Sequence, residues 1–437
     1  MHCLFHRRTA KSPVDTRYTW RRRHAVAMVA TIVAYAAAVP AADPSTPLRL
    51  ADVLQSARDA NPMLLVARER AAALRAVPPQ VSAYDDPTLS WEGWDIPESL
   101  RVDAAQNNIF RVAQKIPWPG KRTLAGVVAE READAAQQEI RVADLDLTAS
   151  VQRAYYGLWL AYQKRDILTR DKLLVERVTR TTEEKYGIGE ASQADALRAQ
   201  VELTHMAIQA QSAGLAIDSA GAELNALLSR RPDEPLGAPE DPPMQPLEAS
   251  VETLTDLALE QRPELAGQQA AIARQRSAVD LASLNWRPDF EFSVGRFINY
   301  GRNDGFGAMA SVTVPFVYAG KYNAATAEAR AKLAAAEAEL RSWQDRIRRE
   351  VAQAYTRTRT AALAHGLARS THIPQAEQAL RVTESAYGAG TAAFLSVLDT
   401  LRSVEAIHIQ HVEAEAELAI ATADLERAVG GPLPARQ

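Results

Sequence analysis

The sequence predicts a mainly α-helical fold with a small β part, in which duplicated long helical hairpins carry four strands. Three observations predict this fold. One ordered set of motifs occurs twice, each set contains a stretch of alternating apolar and polar residues, and a long helical pattern follows each stretch. A long period that is present only twice is typical of two structural halves and not of a solenoid array.

The duplication has an almost constant offset. The segment Tyr186-Gly187-Ile188-Gly189 returns 201 residues later as Tyr387-Gly388-Ala389-Gly390. Asn61-Pro62 returns at the same offset as Arg262-Pro263. We therefore expect the two halves to have the same order of elements, and function to come from the shape that they build together.

The chain divides into four segments on this interpretation. Residues 1–41 are a signal peptide and residues 231–246, rich in proline, are a linker. The first repeat is 42–230, with a β-hairpin at about 88–116. The second repeat is 247–437, with a β-hairpin at about 289–316.

The start of the chain indicates secretion. Arg21-Arg22-Arg23 precedes an apolar stretch from Ala25 to Ala38, and the small residues around Val39-Pro40-Ala41 suit signal peptidase. A membrane anchor is the alternative. The apolar stretch is shorter than the roughly 20 residues of a spanning helix, which favours the signal peptide.

Charge and cysteine content exclude several function classes. Removal of residues 1–41 takes away seven basic residues and Asp15, which leaves 43 basic and 53 acidic residues. This negative balance disfavours nucleic acid as a partner. Cys3 is lost with the signal, so we expect no disulfide, thiol nucleophile or cysteine metal site in the mature chain.

Two-residue alternation predicts the strands. Phe290, Phe292 and Val294 are apolar and the residues between them are polar. A loop rich in Gly, Asn and Asp follows, and a second alternating stretch runs from Ala308 to Val314. The first half has matching stretches at 88–96 and 108–116, which makes four strands in all.

The helical patterns are far longer than globular helices. Residues 121–186 contain no proline and residues 321–387 contain only Pro374, so each pattern could extend about 100 Å at 1.5 Å per residue. Gly189 and Gly390 are expected to end these helices in the left-handed conformation. Second helices should return over about 191–229 and 391–429. A coiled-coil seam with 4-3-4-3 spacing is predicted twice, at Leu147, Val151, Ala154, Leu158, Ala161 and at Ile347, Val351, Ala354, Thr358, Ala361.

Four strands are too few to close a barrel. Open strand edges do not occur in lipid, because each unpaired backbone group costs several kcal/mol there. Three copies would supply twelve strands, an even number within the range of outer-membrane barrels. A soluble β-sandwich is the alternative interpretation of the strands. Aromatic residues near the predicted strand ends fit the girdles of a membrane barrel: Trp91, Trp94, Trp118, Trp286, Tyr300 and Tyr318.

The ordered motifs resemble a known family. They are the segment Gln114 to Arg122 after the first hairpin, the paired Tyr-Gly-x-Gly turns, and Leu224-Asn225-Ala226-Leu227-Leu228 at the end of the first half. Together they are similar to the TolC family of outer-membrane efflux proteins, over nearly the whole mature chain. The Pro-Trp-Pro-Gly-Lys loop within 117–121 is most similar to the CzcC-like subgroup, which serves heavy-metal cation efflux.

The resemblance implies an architecture and partners. It implies a homotrimer with a 12-stranded transmembrane β-barrel and a tunnel of helices across the periplasm. The partners would be outer-membrane lipid, a periplasmic adaptor (membrane fusion) protein and an inner-membrane efflux pump, which we expect to be of the RND type. Drugs or proteins of type I secretion are alternative substrates for the same duct.

The resemblance also implies candidate site residues. The periplasmic tips that dock the adaptor would be Tyr186, Gly187 and Gly189 with Tyr387, Gly388 and Gly390. Asp195 matches one side of a polar link to Tyr387, and Asp399 matches a carboxylate of the aperture constriction. Ala392 and Ser396 depart from the charged residues of the family at this constriction, so it would be built differently here. The alternative for both aspartates is a solvated helix face.

Histidine and catalytic motifs add no further function at this level. His408 and His411 are spaced i, i+3, and His365 and His372 are seven apart, but neither pair has a carboxylate or cysteine cluster beside it in sequence. We therefore expect no metal site and no cofactor. Since zincin, Gly-x-Ser-x-Gly and phosphate-loop motifs are absent from the sequence, we expect no enzyme. A soluble periplasmic coiled-coil scaffold and a secreted hydrolase are the alternatives from other classes.

Overall fold

The computed structural model describes residues 47–96, 98, 105, 107–244, 246–299 and 303–434. The predicted signal peptide at 1–41 and Tyr300 lie outside these residues. Long helices dominate the described part of the chain, and a single antiparallel sheet of four strands lies among them. This confirms the predicted class, mainly α with a small β part.

The first part of the chain forms three short helices, one β-hairpin and two long helices. They are α1 (Leu50–Ala60), α2 (Pro62–Arg75), α3 (Val77–Val81), β1 (Thr88–Trp94), β2 (Asn107–Ile116), α4 (Lys121–Gly187) and α5 (Gln193–Leu227). The α4 helix has 67 residues and is therefore about 100 Å long.

The second part follows the same order with one additional break. Its elements are α6 (Val251–Gln261), α7 (Pro263–Leu284), β3 (Phe290–Asn299), β4 (Gly305–Val312), α8 (Ala319–Leu367), α9 (Ile373–Gly388) and α10 (Phe394–Val429). A short 3₁₀ turn, Pro315–Tyr318, connects β4 to α8.

The break is a π-helical turn, Ala368–His372, between α8 and α9. The sequence predicts one helical pattern through this region, interrupted at most by Pro374. Proline has no N–H for the carbonyl of Ser370 four residues earlier, and its ring crowds that carbonyl. The wider π turn accommodates the proline while the chain keeps its direction.

Equivalent buried residues fix the start of the second helix in each part. Asn61 precedes Pro62 and donates a hydrogen bond from Nδ2 to the carbonyl of Leu227, at 2.9 Å. Arg262 precedes Pro263 and donates from Nη1 to the carbonyl of Ala428, at 3.2 Å. The 201-residue offset of the sequence therefore reappears in the contacts of both donor and acceptor.

The two predicted seams lie in the helical core. Val151 and Leu158 of α4 are buried in one cluster with residues of α1 and α5. Ile347 and Val351 of α8 are buried in a second cluster with residues of α6 and α10. Small and β-branched seam residues let these long helices approach closely over their whole length.

The four strands form one antiparallel sheet in the order β1-β2-β3-β4. One register row runs Leu89, Val112, Val294 and Ala308 across all four strands. The outer strands β1 and β4 each pair on one side only, so each has a free edge within the described part of the chain.

Within the residues described, we find no helix with the length and apolarity needed to cross a membrane.

Candidate functional site

Two glycine turns end the longest helical stretches. Gly189 has a φ of 81° and Gly390 a φ of 75°, as predicted for left-handed helix ends. Gly189 N–H donates to the carbonyl of Tyr186 at 3.0 Å, and the next residue, Glu190, donates to Lys185 at 2.8 Å. This pair of bonds is a Schellman motif, and the second turn has the same pair.

The other two glycines of these turns have a different role. Gly187 and Gly388 are the last residues of α4 and α9 and have no positive φ. A Cβ placed on either would meet no atom within 4 Å. Only Gly189 and Gly390 are therefore required by backbone conformation.

The two tips lie side by side. Lys185 Nζ donates to the carbonyl of Tyr387 at 2.7 Å and lies 4.5 Å from the centroid of its ring. The Tyr387 hydroxyl lies 3.1 Å from Oγ1 of Thr182, a fully buried residue. The Tyr387 ring also meets Phe394 edge-on. These contacts hold the end of α9 against α4.

Within one chain, Asp195 and Tyr387 contact other residues, and the predicted link between them stays a prediction. Asp195 accepts a 2.7 Å hydrogen bond from Oγ of Ser192, which caps α5, and lies 3.8 Å from Nη1 of Arg198. Tyr387 uses its hydroxyl for Thr182 instead. Asp195 lies in the first turn of α5, where a carboxylate stabilises the helix N-terminus.

Asp399 lies on an exposed position of α10, one turn before Arg402. Arg402 binds the buried Glu202 of α5 through two hydrogen bonds, of 3.1 and 2.5 Å. The Glu202 carboxylate, with Asp399 as a further contributor, raises the pKa of Arg402. The Glu202–Arg402 pair joins α5 to α10, and sequence reasoning missed it because the partners are 200 residues apart.

Two of the histidines meet between helices. His365 of α8 stacks on His411 of α10 with ring centroids 5.1 Å apart. His408 lies instead beside Glu377, at 3.5 Å, and Arg170, at 3.2 Å. The sequence offered His408 with His411 and His365 with His372 by spacing alone, whereas the stacked pair in the structure comes from two different helices. The partners depend on how the helices pack against one another, and the spacing within one helix does not predict that packing.

The sheet has one apolar face that is exposed in the single chain. Val112 and Val294 are each more than half exposed in its central row. The other face carries charge, and there Arg111 lies 3.8 Å from Glu92. The exposed apolar side chains on the first face are Leu89, Trp91, Phe110, Val112, Phe292, Val294, Ile298, Phe306 and Val312.

Comparison with known proteins agrees with this geometry. The model of the family described as outer membrane efflux protein matches residues 254–431. A relative from Cupriavidus metallidurans, the cobalt-zinc-cadmium resistance protein CzcC, is 22% identical over 384 residues, which cover 88% of this chain and 90% of that protein. The second half of the chain therefore matches the outer membrane efflux protein family, and its similarity to CzcC extends over most of its length.

Solved structures share the fold of this chain. The outer-membrane channel OprN superposes with a TM-score of 0.75 at 19% identity, covering 87% of this chain and 90% of that one. VceC of Vibrio cholerae gives 0.73 at 19% identity, covering 88% and 96%. CusC gives 0.74 at 15% identity, covering 87% and 92%. The chain therefore has the fold of these outer-membrane proteins.

Proposed function

We propose that three copies of this chain form a passive exit duct in the outer membrane. The observation that carries the trimer is the open sheet with one exposed apolar face. Pairing β1 of one copy with β4 of the next would satisfy both free edges. A closed barrel of twelve strands would result, with the row of Val112 and Val294 facing lipid.

An exposed apolar stripe on α5 supports the same assembly. Leu197, Val201, Ile208 and Leu215 follow heptad spacing and are 55 to 67% exposed. The α5 helix packs along α4 of its own chain, which leaves this stripe for another partner. Exposed Leu363, Leu367 and Val382 on α8 and α9 offer apolar surface on a neighbouring copy. Such a head-to-tail contact closes a ring after a fixed number of copies.

The two glycine turns are proposed as the docking site for a periplasmic adaptor. Both turns lie at the same end of the helices and are joined through Lys185 and Tyr387. Tyr186 and Ile188 are exposed there, and Ile188 is 71% exposed. Apolar side chains on a rigid turn are suited to a protein partner, because little conformational entropy is lost on binding.

Asp399 and Asp195 are proposed to lie at the aperture beside these tips. Asp399 is exposed and forms no hydrogen bond within the described chain, so three copies could present a ring of carboxylates. Asp195 stabilises the start of α5 in one copy. The aperture would then depend on Tyr387 with Thr182, and on Glu202 with Arg402, for contacts between helices.

We also propose that the two repeats, 42–230 and 247–437, are the two structural halves of each subunit, joined by the linker 231–246. The equivalent contacts of Asn61 and Arg262 support this division.

The substrates would be heavy-metal cations delivered by an RND-type pump. Similarity to a protein named for cobalt, zinc and cadmium resistance supports that substrate class.

Deletion and complementation test the substrate class. We expect a strain that lacks the gene to lose tolerance to Co²⁺, Zn²⁺ and Cd²⁺, and the wild-type gene to restore it. Tolerance to hydrophobic drugs and the release of secreted proteins serve as controls. If metal tolerance is unchanged and drug tolerance is lost, the duct serves drugs instead. If metal tolerance is unchanged and a secreted protein stays inside the cell, the duct serves type I secretion.

A further inference from the structure

Three side chains that could ligate a metal converge between α8 and α10. They are His365 from α8 and His411 with Glu415 from α10, and each can present a ligand atom such that all three atoms lie within 4.8 Å of one another. His411 and Glu415 are one helical turn apart, with Nε2 3.8 Å from Oε2. The third side chain arrives from a different helix, which the sequence does not reveal.

The hydrogen bonding of the two imidazoles is incomplete. The Nδ1 atoms of His365 and His411 are both buried and have no hydrogen-bond partner among the residues that the structure describes. Most buried polar atoms in proteins have a partner, so two such nitrogens on stacked rings require an explanation. A cation bound through these two Nδ1 atoms would supply one.

We propose that His365, His411 and Glu415 bind a divalent transition-metal ion of the Zn²⁺ or Co²⁺ type. Two imidazoles and one carboxylate are a ligand set that suits these borderline cations, and it does not suit Ca²⁺ or Mg²⁺. Ligands at about 2.1 Å in tetrahedral geometry lie about 3.4 Å apart. The three ligand atoms already lie within 4.8 Å of one another, so small side-chain rotations would bring them to that spacing.

The charges around the site are mixed. Burial, then Arg369, lowers the pKa of His365, and burial with His365 and Arg369 lowers that of His411. Both rings are therefore neutral near pH 7, which is the form that binds metal. Burial, then Asp241, raises the pKa of Glu415, and a bound cation would act against that shift. Arg369 opposes a cation, but it is exposed and therefore screened by solvent.

The site is next to the break between α8 and α9. His365 lies three residues before the π turn, Ala368–His372. A metal held by His365, His411 and Glu415 would cross-link α8 to α10 at that point. The inference concerns binding by the channel wall and does not depend on which substrate the duct exports.

Metal titration of the purified full-length protein in detergent tests the proposal. We expect one Zn²⁺ per chain by calorimetry, and visible absorption of a tetrahedral Co²⁺ site with nitrogen and oxygen ligands. His365→Gln and His411→Gln should each weaken Zn²⁺ binding by more than about 100-fold, since loss of an outer partner alone costs about 10–100-fold. The matched control is His372→Gln, an exposed histidine in the same break.

Two results would overturn the proposal. One is wild-type protein that binds no Zn²⁺ and gives no Co²⁺ spectrum. The other is equal binding by wild type and by the variant that combines both substitutions. Should a variant fail to fold, the Co²⁺ spectrum of the wild type still decides. Metal tolerance of cells is measured in a separate experiment. A failure of the proposed export function can therefore be told apart from a failure of metal binding by the purified protein.

Discussion

At the scale of single residues, the four tip glycines separate into two kinds. Gly189 and Gly390 have positive φ values of 81° and 75°, whereas Gly187 and Gly388 are helical with open space around them. A β-branched residue at Gly189 must adopt a left-handed conformation, at about 1–2 kcal/mol. Alanine at Gly187 should instead be neutral or stabilise the helix end by up to about 1 kcal/mol.

The resulting prediction compares Gly189→Val with Gly187→Ala. Both variants should reach the outer membrane and assemble as the wild type does, because the long helix α4 separates the sheet from the tips. Gly189→Val should lose efflux and cross-linking to the adaptor, and Gly187→Ala should keep both. Full efflux by Gly189→Val and Gly390→Val would remove the docking role from these turns.

A second residue-scale prediction concerns Asp399. Three carboxylates in a narrow aperture repel one another and attract cations. In planar bilayers, Asp399→Asn should reduce cation selectivity and weaken block by added divalent cations. Asp195→Asn is the comparison, and it should mainly change open probability, since Asp195 stabilises the start of α5. Unchanged selectivity and block in Asp399→Asn would make Asp399 an ordinary solvated residue.

At the scale of elements, the sheet predicts opposite effects on its two faces. Val112 lies on the apolar face near the middle of β2, and Met309 lies on the other face at a neighbouring row. Arginine on a lipid face near mid-bilayer costs about 2–4 kcal/mol. Val112→Arg should therefore abolish assembly measured by trimer migration, and Met309→Arg should be tolerated. Equal assembly of both would mean that the faces are wrongly assigned.

The junction of α6 and α7 gives a pH-dependent prediction. The Arg262 side chain is 2% exposed and lies 2.6 Å from Glu264, whose side chain is 7% exposed. Burial opposes ionisation of Glu264, but Arg262 and Arg427 outweigh it and lower the pKa of that carboxyl. The pair therefore stabilises the fold above the ordinary glutamate pKa of about 4.3, and this contribution is lost as pH falls through the lower, folded-state pKa.

Replacement of Glu264 removes an ion-pair partner from the buried guanidinium of Arg262. Glu264→Gln should lower stability at pH 7 by about 3–5 kcal/mol, the usual cost of breaking a buried ion pair. Thermal unfolding in detergent measures it, with the exposed pair member Glu328→Gln as control. The difference from wild type should shrink as pH falls below about 4. An equal difference at all pH values would contradict the electrostatic explanation.

Sequence patterns predicted elements well and contacts between elements poorly. The lack of proline in α4 and the alternation around Phe292 follow from local backbone rules, and the structure has both features. The π turn before Pro374 was not predictable in this way, because a proline can either end a helix or be accommodated within it. The contact of His365 with His411, and of Tyr387 with Thr182, depends on the relative rotation of packed helices. Spacing within one helix does not contain that information.

At the scale of the whole molecule, the single chain is incomplete in two places. The sheet has free edges at β1 and β4, and the α5 stripe from Leu197 to Leu215 has no apolar partner among the described residues of its own chain that would cover it. If identical copies join head to tail around one axis, the free sheet edges are paired and the α5 stripe is covered at the same contact. The duct function depends on this closure, because an open sheet would neither span lipid nor enclose a path.

Electron cryomicroscopy of the full-length protein, purified from outer membranes, tests this account most directly. We predict three copies around one axis, a closed twelve-stranded barrel with β1 of one copy paired to β4 of the next, and the α5 stripe packed on α8 and α9 of a neighbour. A monomer, or an assembly in which β1 and β4 remain unpaired, would contradict the account.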